Sequence, residues 1–180
     1  HSYDTVLGQK AIHLVSAWAN DNRLILAQRK VDSKTNEITA IPELLDALEL
    51  AGCIVTIDAM GCQTAIAKKI TERKADYILA VKENQGYLYE DIERAFGMAF
   101  QDRNPVQCLG GYAKTVDKDH GRIEIRECWT LAADTSYTPI RNAGQWEQLT
   151  SLICIRRERR LPQKTQVEMR YYIASRPPNA

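Results

Sequence analysis

No apolar run in this 180-residue chain approaches the ~20 residues that a helix needs to cross a bilayer. A helical membrane span is therefore excluded. The opening "HSYDTVLGQK" has neither the charged-then-apolar build of a signal peptide nor an initiator Met. The missing Met makes an internal piece of a longer chain the expectation. Charge of one sign is also absent, with 24 basic residues against 23 acidic ones, so any surface for nucleic acid has to be local. The five cysteines (Cys53, Cys62, Cys108, Cys128, Cys154) contain no CxxC pair and are odd in number. Zinc lacks its ligand spacing, and a reducing cytoplasm is the expected compartment. There is no internal repeat and no low-complexity tract.

What the chain does have is a clear order of elements. "AIHLVSAWA" and "RLILAQRKV", separated by "NDN", read as an antiparallel hairpin. In "AIPELLDALELAG" the period becomes helical, with Pro42 in the first turn and Gly52 as the stop. "CIVTIDA" is short and apolar on both faces, which suits a central strand covered on each side. A helix over "QTAIAKKITERKA", a strand "DYILAVK" and a helix "GYLYEDIERAFGMAF" follow. The last carries Leu88, Ile92, Ala95, Phe96 and Ala99 along one side. The first hundred residues predict an α/β layer with parallel later strands. Alternation then takes over, as in Arg122 to Arg126, and "LTSLICIRRERR" and "VEMRYYIAS" form a second hairpin.

Asp58 is the residue that this pattern singles out. It ends a buried-strand signal, where an ionised carboxylate needs a partner cation or a metal ion. In open α/β sheets, sites form beyond the carboxyl ends of strands. A hard ion such as Mg²⁺ takes one or two carboxylates together with water and phosphate oxygens. The alternative is that Asp58 caps the following helix, a role that aspartate favours. Spacing leaves both open, with capping slightly ahead.

The segments "ITAIPELLDALELAGCIVTIDAMGCQTAIAKKI", "ADYILAVKENQGYLYEDI" and "DHGRIEIR" closely resemble the H-repeat-associated insertion-sequence transposases. These are DDE transposases with an RNase H-like catalytic core. The resemblance covers residues 10 to 175, nearly the whole chain, and "RYYIAS" matches the family's strand ahead of its last catalytic segment. It implies an RNase H-like mixed sheet flanked by helices, with residues 1–105 as part of the core. Residues 106–180 would be a β-rich insertion that returns to the core. It also implies two Mg²⁺ (or Mn²⁺) ions held by three carboxylates, which cut and rejoin phosphodiesters. Asp58 matches the second carboxylate. The first normally precedes the point where this chain begins, and the third, a Glu, follows the point where it ends. The resemblance thus implies a fragment that is inactive alone. Glu124 is the candidate stand-in for the third acid, although strand alternation points to a solvated face instead.

Double-stranded DNA, at element ends and target, is the partner that the resemblance implies, and a homodimer would hold two ends together. Lys82, Asn84 and Gln85 leave their strand at the same sheet end as Asp58, where they would contact DNA. His120, Arg122 and Arg126 form a second candidate DNA row, or an Arg–Glu–Arg ladder closed on itself through Glu124. "RRERR" (156–160) is the strongest local basic cluster. Rival readings are a non-catalytic transposase relic, a metal-dependent nuclease or phosphatase without strand transfer, and an α/β domain in which Asp58 is only a cap.

Overall fold

The structure, a computed structural model, describes residues 13–20, 23–31, 37–101, 110–119, 122–134 and 139–179. They fall into two compact units, 1–51 and 52–180.

In the first unit, β1 (His13–Ala19) and β2 (Leu24–Val31) pair antiparallel, with a register shift at Ala17/Trp18. The hairpin follows from its two β-branched, apolar runs, and Arg23 takes the left-handed turn position. Helix α1 (Glu37–Asp46) starts earlier and stops sooner than its apolar period suggests. Pro42 is consequently its sixth residue and sits past the first turn, where it removes one helical N–H. Leu44, Leu45 and Ala40 are buried, and Arg29 pairs with Glu43 at 2.5 Å.

The second unit is built on a six-stranded mixed sheet in the order β3-β4-β8-β7-β6-β5. The strands are β3 (Ile54–Ile57), β4 (Asp76–Val81), β5 (Gly111–Asp119), β6 (Arg122–Ala132), β7 (Ser151–Leu161) and β8 (Lys164–Ala174). β3 and β4 run parallel, joined by α2 (Thr64–Glu72), as a strand–helix–strand crossover requires. All other pairs are antiparallel. Helix α3 (Gly86–Gln101) buries Leu88, Ile92, Ala95, Phe96 and Ala99, the five residues that its period marks.

Pleating puts Leu79, Val81, Tyr171, Ile173, Leu152, Cys154 and Leu131 on one face, where they are buried. The opposite face carries Thr56, Ala80, Arg170 and Tyr172. The result is a mixed α/β, RNase H-like arrangement, in agreement with the expected class.

Two local expectations change. Among the described residues β3 ends the sheet, where a central strand is expected: Ile54 is 48 % exposed, and Cys53 is exposed rather than packed. An apolar run reads alike at an edge and in the middle, because hydropathy does not encode which neighbours pair. Gly52 is not a helix stop. It holds φ at +76° and donates its N–H to the Lys74 carbonyl (2.9 Å), turning the chain into β3.

Candidate active site

Asp58 follows the last residue of β3, and Lys82 follows the last residue of β4. Because the two strands are parallel neighbours with Ile57 opposite Leu79, both residues leave the sheet at the same end. They line one open concavity of about 1000 Å³ together with Thr56, Asn84, Glu168 and Arg170. Asp58 is exposed, and its Oδ1 accepts from the Met60 N–H at 3.2 Å. That bond caps the three-residue 3-10 turn Ala59–Gly61; α2 begins later, after Gln63. Capping and a solvent-facing carboxylate therefore coexist, because one oxygen serves the turn and the other does not.

The turn is stitched to the neighbouring strand end. The Asn84 Nδ2 donates to the Ala59 carbonyl and the Gln85 Nε2 to the Cys62 carbonyl, each at 2.8 Å. Both amides belong to the 3-10 turn Glu83–Gln85 that links β4 to α3. Asn84 still borders the concavity, whereas Gln85 is not among its lining residues.

Glu168 and Arg170, both on β8, enter the site from far along the chain. The Arg170 guanidinium grips Glu168 with two bonds, Nε at 3.0 Å and Nη2 at 3.1 Å. That bond to Arg170, reinforced by the charges of Arg170, Arg157 and Lys82, lowers the Glu168 pKa. Sequence reasoning passed over both residues. Their only signal is the alternation of "VEMRYY", which places Glu168 and Arg170 on one face without saying which strand lies alongside.

The second candidate row behaves differently. Arg126 donates to Glu124 and to Asp117 (2.9 Å to the latter). Arg157 and Arg159 reach across from β7 to Glu124 Oε1 at 2.6 and 3.0 Å. These bonds hold the Glu124 carboxyl down at about 2. Glu124 lies on a sheet face yet is only 5 % exposed, since the arginines cover it; it does not face solvent as alternation suggests. The "RRERR" cluster divides by pleat: Arg157 and Arg159 go to Glu124, while Arg156 and Arg160 go to Glu158 at 2.5 Å each. Arg122 is exposed, and His120 lies outside the described residues.

A divalent ion has a limited donor set here. Among the described residues no three His, Cys, Asp or Glu side chains converge as a metal-holding group. Asp58 fits Mg²⁺ as a single hard-oxygen ligand, the remaining positions going to water and phosphate oxygens. Glu168 and Glu124 are both occupied by arginine. No helix of the described residues is long and apolar enough to cross a membrane.

Fold and site together define an RNase H-like chain that presents a carboxylate at a strand tip beside a basic side chain. A family model described as "Transposase DDE domain" matches residues 1–172. The protein named "H repeat-associated putative transposase YhhI" of Escherichia coli (strain K12) is 41 % identical over 179 residues, 97 % of this chain and 46 % of that protein. "Putative transposase YncI" of the same strain is 47 % identical over 129 residues, 69 % of this chain and 49 % of that protein. An uncharacterized protein of the dhlA 3′ region in Xanthobacter autotrophicus is 42 % identical over 166 residues, 92 % of this chain and 54 % of that protein. The chain belongs to the DDE-domain transposases, similar to the H-repeat-associated group, and it spans about half the length of the curated relatives it matches.

Proposed function

We propose that these residues are part of a transposase that cleaves and joins DNA phosphodiesters at insertion-element ends, with Asp58 as one carboxylate of a two-metal DDE centre. The observation that carries this reading is the convergence of Asp58 and Lys82 at the shared carboxyl end of parallel β3 and β4. A bound Mg²⁺ or Mn²⁺ would supply Lewis acidity at the phosphoryl oxygen and a more acidic attacking water or 3′-hydroxyl. The chain's own residues then divide the remaining work. Asp58 contributes an oxygen ligand from a turn fixed on the strand tip. Lys82 places positive charge beside it, where a DNA phosphate would sit, while the charge of Arg170 is shared with Glu168. Arg122 is a further phosphate contact, and Arg126 a weaker one, since two carboxylates already engage it.

The partner in this reading is double-stranded DNA, and a homodimer would bring two ends together. Incubating the product of the longest reading frame that carries these residues with Mg²⁺ and end-bearing duplex DNA tests it. Cleaved 3′-hydroxyl ends followed by joined product are expected. Cleavage without joining would make the protein a nuclease, and neither product would reduce it to a DNA-binding relic.

A further inference from the structure

Asn84 and Gln85 fall, by sequence, among groups that touch DNA, yet their amides are spent on the chain itself. Each donates at 2.8 Å to a backbone carbonyl, and the two acceptors, Ala59 and Cys62, bracket the turn that follows Asp58. We infer that Asn84 and Gln85 are positioning residues that clamp the Asp58 turn to the β4–α3 junction. The inference rests on the reading of Asp58 as a catalytic carboxylate.

The need for a clamp follows from the topology. β3 has four residues and, among the described residues, one sheet neighbour, β4. The turn's own bonds are few and partly long: Gly61 N–H to the Asp58 carbonyl at 3.1 Å, Cys62 N–H to Ala59 at 3.3 Å, and the cap at 3.2 Å. The junction on the other side is well anchored, because Val81 is buried at the end of β4 and α3 buries a full apolar side. Two side-chain bonds to that anchor fix both ends of the turn. Without them the Cys62 carbonyl loses its side-chain donor beside a buried thiol, and Asp58 loses its fixed orientation.

Cys62 supplies a direct reporter. Its thiol is fully buried, and burial pushes its pKa up to about 12, so it is unreactive until the turn opens. Cys154, on β7, is equally buried, with its pKa likewise raised to about 12, and reports opening of the whole sheet. Alkylation by iodoacetamide is followed cysteine by cysteine with peptide mass spectrometry. Gln85→Met removes the donor at similar volume and should raise the Cys62 rate by about tenfold, leaving Cys154 silent. Gln85→Lys restores an N–H donor and should return the rate towards wild type. If Cys62 and Cys154 become reactive together, or if Cys62 does not change, the clamp is overturned.

The second arm uses the longest reading frame, with Mg²⁺ and duplex DNA. Gln85→Met and Asn84→Ala should lower the cleavage rate constant by about ten- to a hundredfold at unchanged duplex affinity. A loss of affinity with the rate at saturation unchanged would make the two residues DNA contacts and overturn positioning. Should wild-type protein fail to cleave at all, the proposed function falls, while the thiol arm still decides the clamp.

Discussion

Arg157 donates through Nη2 to Glu124 Oε1 at 2.6 Å, across the pair of strands β6 and β7. Arg159 and Arg126 close on the same carboxylate, whose pKa falls to about 2 as a result. A carboxyl held below its unfolded value contributes stability that is fully present above the unfolded pKa and disappears as pH falls through the folded one. The protein should therefore lose stability between about pH 4.5 and about pH 2. Glu124→Gln should be less stable at neutral pH and show a flatter acid limb. Thermal midpoints from pH 2 to 7, for both proteins, check this.

Asp91 is buried on α3, and Arg141 closes on it from the loop after β6 with its backbone N–H (2.8 Å) and its Nε (2.9 Å). Burial pushes the Asp91 carboxyl up, but the Arg141 bonds and the Arg94 charge outweigh it and leave it below its ordinary value. Arg141→Met should destabilise the protein, but by less than breaking a wholly buried pair would, because Arg141 is partly in solvent and Arg94 remains. Urea unfolding of both proteins checks this.

Charge near Asp58 and charge in the ladder should behave differently towards DNA. Lys82→Ala should reduce the slope of log affinity against log salt by about 1, and Arg170→Ala by less, because two bonds already tie Arg170 to Glu168. Arg159→Ala should leave that slope nearly unchanged, because Arg159 is committed to Glu124. Fluorescence anisotropy with labelled duplex, over a series of salt concentrations, measures all three.

Much of the second unit is legible in the sequence, for physical reasons. The helical period of Leu88 to Ala99 survives because one side of α3 packs on the sheet. The alternation of Arg122 to Arg126 survives because a pleat sends neighbours to opposite faces. Asp58 at a strand tip is visible because a lone acid closes an apolar run, although its exposed carboxylate carries no burial cost there. Long-range register is not legible. Ala80 lies opposite Tyr172, and only that pairing brings Glu168 and Arg170 into the concavity with Asp58. Nor can "KENQ" show that its amides reach the carbonyls of Ala59 and Cys62, since local sequence names donors without naming acceptors. The "RRERR" run reads as one basic cluster, whereas the pleat and two buried glutamates divide it into two groups, each with two of its arginines bound to one carboxylate.

In the proposed function the charge of Asp58, and not its cap, performs the chemistry. Asp58→Asn separates the two, because asparagine keeps an oxygen for the Met60 N–H and is itself a favoured cap. Strand cleavage of end-bearing duplex DNA with Mg²⁺, measured on wild-type and Asp58→Asn protein from the longest reading frame, is the most direct test. Cleavage and joining should both be lost in Asp58→Asn, with the thermal midpoint and duplex affinity essentially unchanged. Cleavage by Asp58→Asn at the wild-type rate would contradict that role.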